Sequence, residues 1–342
     1  MNFIKKLLPS YRAANMLKKR MKELSIKLSD IEQRIIQLDK KNEYLFFCAQ
    51  KNADETIEET KRRIFLEMPK AGGDLRIVQK GSDYILKRIN QICKDHGLEF
   101  FLIGGTLIGA ERHHGFIPWD DDIDIGMFRD DYWRLWEILE NDTELSMHYY
   151  YMYNPLKQPP SSDLITKVKL KESDVFYVDV FPFDCIDIDD TENGIDVHIQ
   201  HHMEIHHKFR TYFENKQYIQ QVFYKPQAEP SFDDDIKKIV KEFLEEKGYH
   251  ARGTHVVMGA DQSYGFVKFN GINSCNDVLP INKDGVEFEN VLYNAQYNYK
   301  KLLEIQYGDY MSLPRDITPT HSLELSSISE KDRQIAKEKV RF

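Results

Sequence analysis

Residues 122–125 alternate between aspartate and isoleucine, in the order Asp-Ile-Asp-Ile. Alternation with a period of two is typical of a β-strand with one buried face, so Asp122 and Asp124 are predicted to project from the same face. Two carboxylates on one face repel each other unless a cation lies between them, and a divalent metal ion is the usual solution. We therefore interpret the rest of the chain as the scaffold, substrate clamp and anchor of this site.

A glycine pair precedes these aspartates. The apolar residues 100–103 lead into Gly104-Gly105-Thr106, and a helical segment with the sequence Leu-Ile-Gly-Ala-Glu-Arg follows. A glycine pair at the end of a strand lets the backbone approach a phosphate closely, and the N terminus of a helix adds N–H donors and a favourable dipole. Glycine pairs are common in turns, so this motif indicates phosphate binding only when it is considered together with the aspartates.

Asp179 is the only acid in a strand predicted at residues 175–181, Val-Phe-Tyr-Val-Asp-Val-Phe. A carboxylate in so apolar a strand costs free energy unless it is paired or bound to a metal. Asp179 is therefore predicted to be a third ligand. Metal-dependent phosphoryl or nucleotidyl transfer needs a phosphate-binding backbone, two adjacent carboxylates and a third carboxylate across the sheet. Gly104-Gly105-Thr106 is the candidate for the first of these, which we call the phosphate cradle. The expected ion is Mg²⁺, with Mn²⁺ as the alternative.

Four further side chains are candidates to bind the phosphates of a nucleotide. Arg112 and His113 follow the short helix, and arginine is well suited to bidentate phosphate contacts. A salt bridge to the aspartates is an equal alternative for either residue. Lys167 and Lys169 alternate on one face of the strand predicted at residues 164–170. We expect them to contact phosphate or nucleotide, and the alternative is a surface ladder of charge.

Several other polar residues receive weaker predictions. One of Asp120 and Asp121 is expected to hydrogen-bond the loop or to bind metal through water, and a surface turn is the equal alternative. Tyr307 and Asp309 are expected to close the C-terminal helix against the body rather than to perform chemistry. The histidines of residues 198–207 are expected mostly to face solvent on a long helix, because they lack partner acids at the spacing of metal ligands.

Composition excludes several classes of protein. The net charge of −9 argues against a nucleic-acid binder. The four cysteines are scattered without a Cys-x-x-Cys pair, so we expect buried free thiols in a reducing cytosol rather than a zinc cluster. No run approaches the roughly 18 apolar residues of a membrane span, and no signal peptide is visible. The expected location is the cytoplasm.

The N terminus is basic. Residues 1–27 carry eight lysines and arginines against the single acid Glu23, and apolar residues are interleaved with the first of these charges at helical spacing. Such a segment can lie on anionic lipid, so residues 1–15 are candidates for peripheral contact with the inner face of the cell membrane. A solvated, frayed terminus is the equal alternative.

A heptad pattern follows this basic tip. Its apolar residues recur at steps of four and three and are Leu17, Met21, Leu24, Leu28, Ile31, Ile35 and Leu38. This period predicts a coiled coil through which the chain forms a homo-oligomer. We expect a parallel dimer, and a trimer stays open because the β-branched residues do not sort onto one heptad position. The alternative is a single amphipathic helix packed on the body.

Residues 104–127 resemble the signature of the LicD/fukutin family of phosphotransferases, in the sequence GGTLIGAERHHGFIPWDDDIDIGM. Two further stretches agree with the family: residues 178–184, which begin Val-Asp-Val-Phe-Pro, and residues 307–314, which begin Tyr-Gly-Asp-Tyr-Met. The resemblance implies an α/β (α+β) fold of the nucleotidyltransferase type, with a mixed sheet flanked by helices. The N-terminal coiled-coil helix would precede it.

The resemblance covers residues 75–320, and sequence patterns outside it complete the predicted domain organisation. Residues 1–50 would form the basic tip and coiled coil, 51–74 a linker, 75–320 the catalytic domain and 321–342 a polar tail. The fukutin branch has a cysteine-ligated zinc element that these scattered cysteines do not supply. The chain therefore resembles the bacterial branch.

The activity implied by the resemblance is transfer of a phospho-alcohol, such as phosphocholine. The donor would be a CDP-alcohol, and the acceptor would be a sugar hydroxyl of a cell-surface glycan or lipid-linked sugar, as in lipopolysaccharide, capsule or teichoic acid. The metal carboxylates of the family map onto Asp122 and Asp124, with Asp179 as the third. One rival hypothesis is a glycosyltransferase whose metal binds a nucleotide-sugar. The other is a coiled-coil scaffold with an inactive catalytic domain.

Overall fold

The computed structural model describes residues 9–154, 161–187, 191–216, 230–250, 252–313 and 328–339. The chain divides into two compact units, residues 1–64 with 311–314 and residues 65–310 with 315–342. Across the described ranges, no helix combines the length and the apolar character needed to cross a membrane. Most of the basic tip predicted to contact lipid lies outside the described residues, so that contact stays a prediction.

The first unit contains α1 (Pro9–Gln50) and α2 (Ile57–Glu67) except its last three residues, which belong to the second unit. The predicted irregular linker at residues 51–74 is therefore wrong over α2. Thr56 and Glu59 form a capping box at the start of α2, since each backbone N–H bonds the side chain of the other residue. Such a box satisfies two backbone donors that a helix start leaves open. This Thr-x-x-Glu signal was present in the sequence.

The second unit contains a seven-stranded mixed sheet. Its central order is β1-β2-β5-β4-β3, with β6 added to β5 and β7 added to β6. The pair β2–β5 is parallel, and the other pairs are antiparallel. The strands are β1 (Phe101–Leu102), β2 (Asp124–Phe128), β3 (Leu145–Asn154), β4 (Ser161–Leu170), β5 (Tyr177–Ile186), β6 (His255–Met258) and β7 (Ile272–Ser274). A separate hairpin joins β8 (Asn282–Phe288) to β9 (Val291–Ala295).

Helices cover this sheet and enclose two apolar cores. Along β5, Val178 and Val180 belong to one core, and Phe181 and Phe183 belong to the other. The predicted fold class, a mixed sheet flanked by helices after a long N-terminal helix, is confirmed. The helices are α3 (Gly73–His96), α4 (Gly104–His113), α5 (Arg129–Glu140), α6 (Thr191–Asn215), α7 (Pro230–Lys247), α8 (Tyr264–Asn270), α9 (Cys275–Val278), α10 (Tyr299–Tyr307) and α11 (Glu330–Lys339).

The C-terminal region differs from its prediction. Part of the predicted polar tail is α11, which buries Ile335 and Ala336. Its Asp332 accepts a hydrogen bond of 2.7 Å from Ser173, and its Arg333 donates one of 2.7 Å to Asp74. These contacts hold α11 on the body, so the tail prediction is wrong for residues 328–339. The predicted domain boundaries otherwise stay predictions.

Three histidines of α6 are buried rather than exposed, which corrects their prediction. His198, His202 and His206 follow one another at steps of four and therefore lie on one helix face. Their ring nitrogens lie 2.9, 3.0 and 2.9 Å from the backbone carbonyl oxygens of Met258, Ala260 and Gln262. A carbonyl accepts, so each of these nitrogens carries a proton and donates. The histidine stripe fixes residues 258–262 against α6.

The segment held by this stripe contributes one acid to a buried ionic cluster. Arg129, at the start of α5, donates 2.9 and 2.6 Å hydrogen bonds to the two carboxylate oxygens of Asp184 on β5. The same guanidinium donates bonds of 3.3 and 2.6 Å to Asp261. A guanidinium presents its donors in a rigid fork that fits carboxylates in this way. The cluster joins the end of β2 to β5 and to the segment after β6.

The histidine stripe predicts a loss of stability in acid. Burial lowers the pKa of His198 to about 4, below the value of about 6.5 expected in the unfolded chain. Between these values the unfolded state binds the proton and the folded state does not. The free energy of unfolding therefore falls as pH drops from about 6.5 to 4, by up to about 3 kcal/mol for this one group.

Denaturant unfolding of His198→Gln across this pH range measures that contribution. The glutamine amide can still donate to Met258 but does not titrate, so we expect a shallower fall than in the wild type. His207→Gln, at an exposed histidine of the same helix, is the matched control and should keep the wild-type slope. Equal slopes for all three proteins would contradict the assignment.

Loss of the arginine in the buried cluster should be costly. Arg129→Ala leaves the carboxylates of Asp184 and Asp261 buried without their cation, and we expect a loss of about 3–5 kcal/mol in the free energy of unfolding. Arg134→Ala removes an arginine of the same helix that is 51% exposed and pairs with Asp131 at 3.3 Å. That control should cost less than about 1 kcal/mol. Similar losses for both variants in denaturant titrations would show that the cluster does not stabilise the fold.

Candidate active site

Strand register brings the predicted acids together. Asp124 on β2 lies opposite Asp179 on β5, and Lys167 on β4 lies opposite Asp179 from the other side. Residues directly opposite on neighbouring strands share a face of the sheet, so these three side chains project together. Asp122, just before β2, joins them: one carboxylate oxygen from each of the three aspartates lies within 4.8 Å of the others. The predicted convergence of Asp122, Asp124 and Asp179 is confirmed.

The cluster is strongly acidic. Enclosure of the Asp124 carboxyl group, followed by the charges of Asp122 and Asp179, raises its pKa well above the usual value for aspartate. The ammonium group of Lys167 lies 2.8 Å from Asp179 and offsets part of this charge. Asp120, Asp121 and Asp122 form a second group with oxygens within 4.8 Å, and Asp121 is buried. A divalent cation would relieve the remaining repulsion.

The donor atoms decide which ion fits such a site. Asp122, Asp124 and Asp179 offer only carboxylate oxygens. Oxygen donors suit the hard cations Mg²⁺ and Mn²⁺, whereas zinc sites usually include histidine or cysteine. The residues present therefore fit the predicted ion, and they fit a structural zinc poorly.

The glycine pair lies directly against the carboxylates. Gly104 has a φ of +57°, and a Cβ atom added there would lie 3.0 Å from Oδ2 of Asp124. A Cβ atom added to Gly105 would lie 3.0 Å from Oδ2 of Asp120. The hydroxyl of Thr106 accepts a 2.8 Å hydrogen bond from the backbone N–H of Asp124. The N terminus of α4, where Ile103 makes no side-chain cap hydrogen bond, therefore adjoins the cluster, and its binding of phosphate stays a prediction.

Arg112 and His113 have a different environment from the one predicted. The guanidinium carbon of Arg112 lies 3.8 Å from the centre of the Phe65 ring, and its Nη1 donates to the carbonyl of Tyr310 at 3.2 Å. Nδ1 of His113 lies 2.7 Å from the carbonyl oxygen of Phe65. Burial, and then the charge of Arg112, lowers the pKa of His113 to about 4, so the ring is neutral at pH 7. These contacts give both residues a packing role, and their predicted role as a diphosphate clamp gains no support from them.

The two lysines of β4 form ion pairs with different acids. Lys167 pairs with Asp179, and its ammonium nitrogen also lies 3.5 Å from the centre of the Tyr177 ring. Lys169 forms its ion pair with Asp174, whose side chain is exposed. Strand β4 therefore neighbours β5, and this register places Lys167 at the cluster.

Tyr307 is a residue of this region that sequence reasoning assigned elsewhere. Its hydroxyl lies 3.7 Å from the Cβ position of Gly104, and its ring contacts Phe269 edge to face at 4.8 Å between centres. Enclosure of the hydroxyl, followed by the charge of Asp124, raises the pKa of Tyr307. The prediction that Tyr307 only closes the C-terminal helix is therefore incomplete, since its hydroxyl end reaches the acidic cluster. Its position more than a hundred residues downstream gave no signal for this.

Gln79 of α3 is a second residue that the sequence did not single out. It is fully buried, and its side-chain amide donates a 2.7 Å hydrogen bond to the backbone carbonyl of Asp120. Arg76 holds the other end of the amide by donating to its oxygen at 2.9 Å. A buried amide with both ends bonded fixes its partner well. Gln79 therefore positions the loop that carries the aspartates.

The close approach of Gly104 predicts a specific effect of substitution. Gly104→Ala and Gly97→Ala both place a side chain at positive φ, which costs about 1–2 kcal/mol of stability in each variant. Only Gly104→Ala also crowds Asp124, because nothing lies within 4 Å of the Cβ position of Gly97. We expect a loss of at least about tenfold in Mn²⁺ affinity for Gly104→Ala alone. Calorimetric Mn²⁺ titration measures this, and an equal change in both variants would contradict it.

Comparison with known proteins finds a family match that includes this region. The family model described as LicD/FKTN/FKRP, nucleotidyltransferase domain, matches residues 97–228. This range contains the glycine pair and the three converging aspartates.

Three curated relatives agree with that match. The lipopolysaccharide cholinephosphotransferase LicD of Haemophilus influenzae is 49% identical over 59 residues, which is 17% of this chain and 22% of the relative. The human ribitol 5-phosphate transferase FKRP is 35% identical over 57 residues, 17% of this chain and 11% of the relative. The mouse ribitol-5-phosphate transferase FKTN is 36% identical over 59 residues, 17% of this chain and 13% of the relative. The chain thus covers less than a quarter of the length of each. Residues 97–228 of the chain are therefore similar to the nucleotidyltransferase domain of the LicD/fukutin family.

Proposed function

We propose that this protein is a metal-dependent transferase that moves a phospho-alcohol, such as phosphocholine, from a CDP-alcohol to a sugar hydroxyl of a cell-surface glycan. The observation that carries the proposal is the group of three carboxylates from Asp122, Asp124 and Asp179, placed against the N terminus of α4. The relatives are named as cholinephosphate and ribitol-phosphate transferases, which supports transfer of a substituted phosphate.

In this reaction the acceptor oxygen forms a bond to the phosphorus that carries the alcohol. The bond from that phosphorus to the bridging oxygen breaks, CMP leaves with the electron pair, and the acceptor hydroxyl loses its proton. A diphosphate with negative charge must therefore be held in line with a sugar hydroxyl. Positioning and charge stabilisation supply most of the rate enhancement in phosphoryl transfer.

The chain offers a group for each of these tasks. Asp122, Asp124 and Asp179 would hold Mg²⁺ or Mn²⁺, which when bound neutralises the diphosphate and stabilises the leaving phosphate. Gly104 and Gly105 add no side chain of their own beside Asp124 and Asp120, which suits close approach of a phosphate oxygen to their backbone. A carboxylate of the cluster would accept the acceptor proton. The 2.8 Å ion pair with Lys167 orients the carboxylate of Asp179.

A donor assay tests the proposal. The purified protein, supplied with Mg²⁺ and an acceptor glycan, is incubated in parallel with CDP-choline, CDP-ribitol and UDP-sugars, and the released nucleotide is measured. We expect CMP from a CDP-alcohol. Release of UDP alone would favour the nucleotide-sugar glycosyltransferase and overturn the proposal.

Substitution of the acids tests the site itself. Asp122→Asn and Asp179→Asn should each lower kcat/KM by about a thousandfold, since loss of the ion removes several kcal/mol of transition-state stabilisation. Asp95→Asn, at an exposed acid of α3, should retain activity. Mn²⁺ binding followed by electron paramagnetic resonance should be lost in the first two variants and kept in the third. Unchanged Mn²⁺ binding in Asp122→Asn would reject the assigned ligands, and no metal binding by the wild type would favour the inactive scaffold.

A further inference from the structure

Helix α1 carries a long stripe of exposed apolar residues. The heptad residues are between 49% and 68% exposed, although isolated leucines and isoleucines gain free energy when they are buried. Leu45 lies one heptad after Leu38, in line with the stripe, and is 53% exposed. The exposed members are Leu17, Met21, Leu24, Leu28, Ile31, Ile35, Leu38 and Leu45.

The packed side of α1 lies on a different face. Phe47 is fully buried, and Lys61 of α2 lies 5.7 Å from the centre of its ring. In heptad notation with Met21 at position a, Phe47 falls at position f, opposite the a/d stripe. The contacts of α1 within its unit therefore leave the stripe accessible to a partner.

The charges that flank the stripe select the orientation of that partner. Every g position from residue 20 to residue 41 is basic: Arg20, Lys27, Arg34 and Lys41. Two of the e positions are acidic, Glu32 and Asp39. In a parallel, in-register pair each g residue faces the e residue five positions on in the other helix, so Lys27 meets Glu32 and Arg34 meets Asp39. In an antiparallel pair g faces g, and basic residues would face one another.

The a positions select the number of helices. They are Met21, Leu28, Ile35 and Asn42, and Asn42 is exposed like the rest of the stripe. An asparagine at one a position fixes the register and favours a two-stranded coiled coil, because the two amides bond each other across the interface. The d positions are mostly leucine, which suits a parallel dimer.

We propose that the stripe of α1 is covered by α1 of a second copy of this chain, in a parallel, in-register, two-stranded coiled coil. Its core is the a/d stripe, and its orientation and register are set by the Lys27–Glu32 pair and by Asn42. This interface is independent of the transferase chemistry, so its test does not rely on activity.

The mass of the full chain in solution is the first test. Sedimentation equilibrium or light scattering should give twice the chain mass of 40.5 kDa. Leu28→Lys combined with Ile35→Lys should give the monomer mass, and both side chains are exposed enough that the chain keeps its fold, as checked by circular dichroism. The matched control is Ile26→Lys at an f position, 62% exposed, which should remain a dimer. A monomeric or trimeric wild type would overturn the proposal.

Charge reversal tests the pairing. Lys27→Glu places acids opposite each other in both symmetric pairs of the dimer, and we expect the dimer dissociation constant to rise about tenfold. Glu32→Lys should weaken the dimer similarly, and the double variant Lys27→Glu with Glu32→Lys should restore it. If the double variant were as weak as the single ones, the two residues would not pair.

Cross-linking tests the orientation. With Cys48→Ser removing the exposed native thiol of α1, Leu17→Cys places a thiol at one end of the stripe. In the parallel dimer the two thiols meet, and mild oxidation should give a covalent dimer on a denaturing gel. In an antiparallel dimer they would lie about 40 Å apart, since the helix rises 1.5 Å per residue. No covalent dimer from a protein of dimeric mass would overturn the parallel arrangement.

Discussion

The parallel pairing of β2 with β5 sets Asp124 beside Asp179 and so forces like charges into one enclosed place. Like charges held so close together repel each other, and the surrounding groups are suited to reduce this repulsion. Lys167 supplies one positive charge at 2.8 Å, and the oxygen-only donor set suits a divalent ion that would supply more. The glycine pair keeps side chains out of the space beside the carboxylates, and the end of α4 brings N–H donors to it. The proposed divalent ion would relieve the repulsion between these carboxylates, and this relief would add to the affinity for the ion.

Maintaining that register is the task of groups far from the chemistry. Apolar cores on both faces of the sheet fix β5, and the alternation of its side chains leaves Asp179 on one face and Asp184 on the other. On the second face, Arg129 ties Asp184 to Asp261 with four hydrogen bonds. The three buried histidines of α6 secure the backbone that carries Asp261. The side-chain amide of Gln79 holds the loop before β2 by donating a hydrogen bond to the backbone carbonyl of Asp120. A site built on central strands and braced behind them keeps its geometry without substrate.

Local patterns in the sequence predicted a good deal of this structure. The period of two at residues 122–125 correctly placed Asp122 and Asp124 on one side, and the isolated acid of an apolar strand was correctly joined to them. Gly97 ends α3 in the left-handed conformation, and a glycine after an amphipathic segment is a common stop signal for a helix. Local patterns were less informative where a polar residue had more than one possible partner. The exposed position predicted for most histidines of α6 was wrong, and Arg112 and His113 contact Phe65, because packing decides which partner a polar side chain meets.

By itself, the sequence determined the strand period, the glycine pair, the helix caps and the heptad, because each depends on neighbours within a few residues. The charges that flank the heptad are also set locally, because a regular helix fixes which residues lie on each of its faces. Only the tertiary structure decided which distant residues complete the site. The hydroxyl of Tyr307 reaches Gly104, and Asp261 reaches Arg129, across more than a hundred residues of chain. Sequence separation does not encode such contacts, because strand register and helix docking set them through the packing of the whole core.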